Sequence, residues 1–309
     1  MVMRVFVAGG TGVIGQRLVP HLVARGHQVT ATTTSAAKLG LIAQLGADGV
    51  VMDGLDAMSV GEAVARAAPD AIVHQMTALS AAHAGPPNLR NPGRFFATTL
   101  RLRTEGTDHL LAAAEAAGVS RVVAQSFAQS FTGGRVLTEE DRPDLGADPV
   151  MRRMAEGVLH VEDAVVEAGG AALRYGGLYG PGATEDQVEL VRKRKFPLVG
   201  RGTGYFSFVH LDDAASATVL AVEQQARGVF NIVDDEPAPV SEWLPYLAAC
   251  AGAKRPMRIP TWLARLLAGE FAVKLMTDGR GFSNAKAKRE LGWQLRYPSW
   301  RQGFKEELA

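Results

Sequence analysis

The sequence predicts an α/β fold in which helices cover both faces of a doubly wound parallel sheet. Short apolar runs, rich in β-branched residues, alternate along the chain with stretches whose apolar residues recur at helical spacing. The first pair is the run Arg4–Ala8, followed by Leu18, Val19, Leu22 and Val23. Strands that alternate with helices favour parallel pairing through right-handed crossovers. A chain of 309 residues can also bury a large core.

Three glycines spaced three residues apart follow the first strand directly. A tight turn needs a residue without a Cβ, and a pyrophosphate must come close to backbone N–H groups at a helix start. Gly9 and Gly12 meet these two needs, and Gly15 lets the next helix lie close to the sheet. The turn therefore predicts a dinucleotide site, with an ordinary glycine-rich turn as the alternative.

Composition restricts the partners to small molecules. The formal net charge of +1 gives no global attraction to nucleic acid or to an acidic membrane. The single cysteine, Cys250, excludes an internal disulfide, and no Cys/His group has metal-ligand spacing, so we expect no metal. No basic, apolar leader opens the chain and no apolar run of about 18 residues follows, which predicts a cytoplasmic protein without a membrane partner.

The end of the second predicted strand, which covers residues 27–32, bears on cofactor choice. A carboxylate there would bind a ribose 2′-hydroxyl and repel a 2′-phosphate, but the position holds Thr33. Thr33, Thr34, Ser35 and Lys38 can instead bind and neutralise a phosphate, which favours NADP (NADPH). A solvated Thr/Ser loop is the alternative.

The glycine spacing resembles the extended and atypical short-chain dehydrogenases/reductases, the relatives of NAD-dependent epimerases and dehydratases. The segments 171–182 and 206–215 are similar to the Leu-Arg-x-x-x-x-Tyr-Gly-Pro and His-Val-x-Asp-Val-Ala elements of that group, and the similarity continues to Phe304. The resemblance implies a Rossmann sheet with a smaller C-terminal substrate-binding lobe.

Domain boundaries follow from the same resemblance. Residues 1–178 would form the dinucleotide-binding domain, with 206–235 returning to it. Residues 179–205 and 236–309 would form the substrate-binding lobe. In this group two long helices, expected here near 95–117 and 151–168, often build a dimer interface, so a homodimer is an expected assembly.

The resemblance also assigns the cofactor contacts. An Asp after the third strand accepts a hydrogen bond from adenine in the group, which points to Asp53; the alternative is a turn residue that caps the next helix. Backbone after the fourth strand packs on the nicotinamide ribose, and His74 there is expected to make only local contacts. The predicted cofactor-binding residues are Gly9, Thr11, Gly12, Val13, Ile14, Thr33, Thr34, Ser35, Lys38, Asp53, Gly54, Gln75, Met76, Gly176, Gly177 and Leu178.

The catalytic positions depart from the group's pattern. Arg103 stands where an active-site Asn is expected, and Phe127 stands at the Ser/Thr position, with Ser126 one residue earlier. Met154 and Val158 occupy the Tyr and Lys positions of the Tyr-x-x-x-Lys pair, in which the phenol donates a proton and the ammonium lowers its pKa. Neither can transfer a proton.

Three segments are expected around the substrate. The breaker-rich loop 84–93 borders the pocket, and the apolar helix within 259–271, with Trp262, Leu266 and Leu267, closes over it. The basic residues 193–195 and Arg201 contact ligand or simply remain solvated.

These observations lead to one functional prediction with two alternatives. Atypical ketoreductases of aromatic polyketides are similar in lacking the Tyr/Lys pair, which favours an NADPH-dependent ketoreductase of a bulky, largely apolar carbonyl substrate. Substrate, water or a relay through Ser126 or Tyr175 would then supply the proton. The alternatives are a non-catalytic NAD(P)-binding sensor or scaffold protein, and a sugar-nucleotide epimerase or dehydratase.

Overall fold

The structure, a computed structural model, describes residues 1–79, 90–144, 146 and 148–308. Seven of its strands form one sheet: β1 (Arg4–Ala8), β2 (Gln28–Thr33), β3 (Asp48–Val51), β4 (Ala71–His74), β5 (Val122–Phe127), β6 (Ala171–Tyr175) and β7 (Gly228–Ile232). They lie in the order β3-β2-β1-β4-β5-β6-β7, and every neighbouring pair is parallel. The predicted doubly wound α/β fold is confirmed.

Helices alternate with the strands along the chain, and several of them cover the two faces of the sheet. They are α1 (Gly15–Ala24), α2 (Leu39–Gln44), α3 (Ala57–Ala67), α4 (Pro92–Phe95), α5 (Ala97–Arg103), α6 (Glu105–Ala116), α7 (Pro149–Glu167), α8 (Glu185–Arg192), α9 (Leu211–Glu223), α10 (Val240–Cys250), α11 (Thr261–Thr277), α12 (Ala285–Leu291) and α13 (Trp300–Glu307). Short strand pairs join Gly177–Tyr179 to Phe208–His210, Val136–Leu137 to Gly281–Phe282, Leu198–Val199 to Arg258–Ile259, and Tyr205–Phe206 to Ala238–Pro239.

Each face of the sheet has its own apolar core. Because side chains alternate along a strand, Val5 and Val7 of β1 pack with α1 and α9, whereas Phe6 and Ala8 pack with α3, α6 and α7. Burial on both faces explains why the strands are continuously apolar. A third core, rich in aromatic residues, is formed by residues between Tyr179 and Phe304 and includes Trp243. The boundaries predicted for the two lobes stay a proposal.

The helix expected over 95–117 is divided at Thr104. That residue has φ −96° and ψ −84°, and its hydroxyl donates to the carbonyl of Leu100 at 3.1 Å. A threonine that bonds back to the preceding turn competes with the helix ladder and bends it. Arg103 consequently ends one helix at a kink, a feature that apolar periodicity does not reveal.

The N-terminus of α7 lies two residues before the predicted start at Met151. Asp148 accepts hydrogen bonds from the N–H groups of Val150 and Met151, and Pro149 occupies the first helical position. Both residues are typical of helix starts.

Helix α11 differs from its prediction. Gly269, at φ 87° and ψ 171°, breaks it into two parts. The first part leaves Trp262, Leu266 and Leu267 exposed, whereas Phe271 of the second part is buried in one apolar cluster with Met154. The part that covers the α7 face is therefore the one after the break. The predicted loop residues 84–89 lie outside the described residues.

Candidate cofactor and active site

The predicted site residues meet at one edge of the sheet. Parallel strands end at the same edge, and ligands of doubly wound sheets bind there, where the strand order reverses; here that point lies between β1 and β4. The glycine turn follows β1, Thr33 ends β2 and Asp53 follows β3. Gln75 follows β4, Ser126 is the penultimate residue of β5, and Tyr175 ends β6.

The three glycines of the turn have different surroundings. A Cβ on Gly9, whose φ is +94°, would lie 2.7 Å from the carbonyl oxygen of Gln75. A Cβ on Gly15 would lie 2.5 Å from the carbonyl oxygens of Gly9 and Gly10. At Gly12 the nearest protein atom would be 3.4 Å away, so that side of the turn is open to a ligand.

Hydrogen bonds attach the turn to β2 and leave other donors free. Gly9 N–H donates to the hydroxyl of Thr32 at 3.0 Å, and Gly10 N–H donates to its carbonyl at 2.9 Å. Among the described residues, none accepts from the N–H groups of Thr11, Val13 or Ile14. Free N–H groups at a helix N-terminus attract an anion, so this turn fits the pyrophosphate of a dinucleotide.

The end of β2 combines a buried hydroxyl with exposed polar groups. Thr33 is buried, lies 3.3 Å from the Thr11 hydroxyl and accepts from Ser35 N–H at 3.3 Å. Thr34 and Lys38 are exposed. In the described part of the chain no acidic side chain pairs with Lys38, whose ammonium can therefore neutralise a phosphate.

Asp53 forms a turn and is not the cap of the following helix. Its Oδ1 accepts from Leu55 N–H at 2.9 Å, whereas Asp56 caps α3 through the N–H groups of Met58 and Ser59. The exposed Asp53 carboxylate can accept a further hydrogen bond. Beside it, a Cβ on Gly54 would lie 2.4 Å from the Met76 sulfur, so this turn packs directly on the β4 end.

His74 makes local contacts, as expected. Its Nδ1 accepts from Met76 N–H at 3.2 Å, and its Nε2 lies 3.2 Å from the Thr107 hydroxyl and 3.3 Å from the Leu102 carbonyl. Burial lowers the pKa of His74 to about 4, so the ring is neutral near pH 7 and Nε2 carries the proton.

A buried hydrogen-bond chain runs from Gln75 through Tyr175 to Thr218. Thr218 donates to the Ala214 carbonyl at 2.7 Å, so the Tyr175 hydroxyl, 2.6 Å away, donates to Thr218 and accepts from Gln75 Nε2 at 3.0 Å. Gln75 Oε1 is left buried without a partner in the described structure. Burial raises the pKa of Tyr175 to about 12, and its proton is directed at Thr218. The relay role of Tyr175 stays a prediction.

Ser126 belongs to a buried ionic cluster. Its hydroxyl donates to Glu162 Oε1 at 2.6 Å, and Arg174 holds both oxygens of the same carboxylate at 2.8 Å. Arg174 also donates to the Asp141 carbonyl at 3.0 Å. The Ser126 hydroxyl is thus committed to the protein interior, and its relay role also stays a prediction.

The inner face of α7 is apolar where the resembled group has Tyr and Lys. Met154 and Val158 are both buried, and Met154 lies in a cluster with Phe131 and Phe271. These two rings meet edge to face at 6.1 Å. The face is apolar and supplies no proton at either position.

Sequence reasoning missed Glu162 and Thr218. Glu162 lies four residues after Val158, so one acid interrupts the apolar inner face of α7; that interruption was the available signal. Thr218 had no comparable signal, because α9 is almost entirely buried.

Elsewhere in the described part of the chain, no helix is long and apolar enough to span a membrane. No group of three or more His, Cys, Asp or Glu side chains in that part is placed to hold a metal ion. The basic residues 193–195 and Arg201 are exposed, and Lys193 pairs with Glu189 on α8.

Fold and glycine turn together define a protein of the Rossmann type with a site suited to a dinucleotide. The sequence profile of the NAD dependent epimerase/dehydratase family matches residues 5–233. The chain belongs to this family, and the resemblance found in the sequence is confirmed.

Two characterised relatives are named as reductases. A "3-diazoavenalumate denitrifying reductase" from Streptomyces sp. is 44% identical over 316 residues, which cover 99% of this chain and 100% of that protein. A "2-alkyl-3-oxoalkanoate reductase" from Stenotrophomonas maltophilia is 28% identical and covers 96% and 91% of the two chains. These relatives support an oxidoreductase of the reductase type.

Solved structures share the fold. The protein MoeE5, in complex with UDP-glucose and NAD, superposes with a TM-score of 0.75 at 22% identity, over 98% of this chain and 97% of that one. This likeness supports the Rossmann architecture alone.

Proposed function

We propose that this chain is an NADPH-dependent reductase that delivers hydride to an acceptor needing no proton from the protein. The apolar face of α7 carries the proposal, since Met154 and Val158 are buried where a Tyr/Lys pair would act. The hydroxyls of Ser126 and Tyr175 donate to other protein groups. A reduction that consumes no proton suits such a face best.

The edge of the sheet supplies the cofactor contacts. The free N–H groups of Thr11, Val13 and Ile14 would bind the pyrophosphate over the open side of Gly12, and Asp53 would accept from the adenine amino group. The remaining contacts, nearer the nicotinamide, would come from Gln75, Met76, Gly176, Gly177 and Leu178. When bound, the nicotinamide supplies the hydride.

Preference for NADPH follows from the end of β2. Thr33 leaves that position without a carboxylate, so nothing there repels a 2′-phosphate. The exposed Thr34 and Lys38, together with Ser35, which lies between them in the chain, would bind that phosphate.

Our leading acceptor is an aromatic diazonium group, the chemistry for which the 44% identical relative is named. Hydride adds to the terminal nitrogen and gives a diazene. The N–H hydrogen of the diazene then passes to the ring carbon as the carbon–nitrogen bond breaks and dinitrogen leaves. One diazonium and one hydride give one arene and one dinitrogen, and no proton is taken up. The absence of a general acid should therefore not slow this reaction.

A ketone is the second candidate, favoured by the relative named for a 3-oxo acid and by the aromatic lining of the α7 face. Its reduction takes up one proton at oxygen, and a missing general acid typically costs about 10²–10⁴ in rate. Positioning of the reactants can offset about 7–11 kcal/mol of barrier. Water or a substrate hydroxyl would then donate.

Coupled assays separate these candidates. Purified protein is mixed with NADPH and either an aromatic diazo acid or an aromatic 3-oxo acid, while NADPH absorbance and dinitrogen are followed together. The proposal predicts one dinitrogen per NADPH. Oxidation with the ketone alone would select the second candidate, and tight NADPH binding without oxidation by either would select the sensor or scaffold alternative. Retained NAD without net consumption would select the epimerase alternative.

The lobes 1–178 (with 206–235) and 179–205 (with 236–309), and a homodimer through α5, α6 and α7, complete the proposal. Mass measurement in solution at micromolar protein distinguishes a dimer from a monomer.

A further inference from the structure

Arg103, the last residue of α5, has an unpaired guanidinium. Among the described residues none forms a hydrogen bond or an ion pair with it, and its Nε is buried without a partner. The side chain is only partly buried, so its terminal nitrogens remain accessible. Burial lowers the pKa of Arg103 to about 10, which leaves it charged near pH 7.

The charges around Arg103 do not balance. Glu162 is the acid that stabilises its charged form, but both Glu162 oxygens are held by Arg174 at 2.8 Å, and one also by Ser126. His74, whose pKa is lowered by Arg103 as well as by burial, is neutral. Residues 80–89, 145, 147 and 309 contain no Asp or Glu. One positive charge is left over.

Such an excess is costly unless something compensates it. An uncompensated charge that has lost part of its hydration destabilises a fold. A guanidinium presents its N–H donors in a planar fork that matches a carboxylate or another anionic oxygen group. We therefore expect the partner of Arg103 to be an anion that binds reversibly.

Arg103 also lies beside the catalytic face. The kink at Thr104 ends α5 there, and α5 packs along α7. Glu162 lies one helical turn after Val158, which replaces the expected Lys. The Arg103 cation, on the neighbouring helix, thus interacts with the α7 residue one turn beyond the expected Lys position.

We propose that Arg103 binds an anionic oxygen group of the substrate, a carboxylate or a phenolate, and so selects acidic aromatic acceptors. The inference rests on the proposed function for the position of the substrate. The two relatives named as reductases are named for the anions of acids, a diazo acid and a 3-oxo acid, which agrees with an anionic oxygen group on the substrate.

Binding without turnover tests this inference independently of the reaction. Protein saturated with NADP+ is titrated calorimetrically with cinnamate against cinnamamide, and with 4-nitrophenolate against 4-nitroanisole. Wild-type protein should prefer one anion over its neutral partner by at least about tenfold. Arg103→Met should bring that ratio to about one. The pair that shows the preference identifies the oxygen group.

Arg101→Met is the matched control. Arg101 lies two residues away on α5 and is exposed in an ion pair with Glu105, so its loss should leave the ratio unchanged. Without ligand, Arg103→Met should raise the midpoint of thermal unfolding by about 2 °C, because an apolar side chain of similar length replaces an uncompensated charge.

Several results would overturn the inference. They are an anion preference that survives in Arg103→Met, no anion preference in wild-type protein, and a lower thermal midpoint for Arg103→Met than for Arg101→Met. None of these results depends on whether a diazo group or a ketone is reduced.

Discussion

The hydroxyl of Ser126 donates to the buried carboxylate of Glu162 at 2.6 Å, and Arg174 holds that carboxylate from the other side. The nearest hydroxyl to the expected catalytic position therefore stabilises an ion pair inside the fold. Because of this contact, β5 offers no free hydroxyl in place of the proton donor that the α7 face lacks.

Replacement of Ser126 should affect stability more than catalysis. Ser126→Ala removes one donor to Glu162 while Arg174 remains, so we expect a loss of about 1–2 kcal/mol in the free energy of unfolding. The turnover number should change less than about threefold. Urea unfolding and steady-state kinetics measure the two quantities.

Ser216→Ala serves as the control, because its hydroxyl also bonds inside the fold, to Asp213 and Trp293. A fall in turnover of about 100-fold or more in Ser126→Ala alone would instead show that Ser126 relays the proton.

Tyr175 predicts a change in stability at alkaline pH. Burial raises its pKa from 10.0 to about 12, so the folded state keeps the phenol proton that the unfolded state loses. The contribution of Tyr175 to the free energy of unfolding is therefore fully present below pH 10. It falls by about 2–3 kcal/mol as the pH rises from 10 to 12. Tyr175→Phe should therefore lose less stability than wild-type protein between pH 10 and 12.

Urea unfolding at pH 9.5 and 11.5 measures this difference, and other titrating groups cancel because both proteins contain them. Equal losses in the two proteins would mean that Tyr175 titrates normally. In that case the phenol would not be buried away from water as the structure shows it.

Gly9 and Gly12 should respond differently to the same substitution. A Cβ at Gly9 collides with the Gln75 carbonyl and requires a strained φ, so Gly9→Ala should lower the free energy of unfolding by more than about 2 kcal/mol. Gly12→Ala meets no protein atom closer than 3.4 Å and should fold normally. It should nevertheless weaken NADPH binding at least about tenfold, because the methyl group occupies the ligand's space.

Calorimetric titration with NADPH and thermal unfolding of the two variants provide the measurements. Undiminished NADPH affinity in Gly12→Ala would contradict the assignment of the turn to the pyrophosphate.

Lys38 should set the nucleotide preference. Lys38→Ala should weaken NADPH binding about tenfold, about 1.4 kcal/mol, and leave NADH binding unchanged, because only NADPH carries the 2′-phosphate. Lys254→Ala, which removes another exposed lysine, is the control. An equal loss of affinity for NADPH and NADH would mean that Lys38 contacts a group present in both nucleotides and not the 2′-phosphate.

The fold was predictable because its signals are local. The turn from Gly9 to Gly15 directly follows a strand, and the apolar runs of β1 to β7 show burial on both faces. The carboxyl edge then follows from parallel pairing. The resemblance to the family's Tyr-x-x-x-Lys pattern located even the apolar replacements Met154 and Val158, because the two positions are four residues apart in one helix.

The polar interior of the site was not predictable, because it depends on residues far apart in the chain. Ser126 and Glu162 are separated by 36 positions, and Gln75 and Tyr175 by 100. The isolation of Arg103 also depends on Glu162 being held by another arginine, which no spacing within α5 reveals.

The rate of hydride transfer in H2O and D2O tests the central claim most directly. A single turnover of NADPH oxidation, with the aromatic diazo acid in excess, is followed by stopped flow between pH 6 and 9. Because no protein group donates a proton to the acceptor, the rate should be independent of pH and equal in the two solvents. A rate that falls roughly twofold or more in D2O, with an inflection in its pH profile, would contradict this claim by showing a proton donor in the transition state.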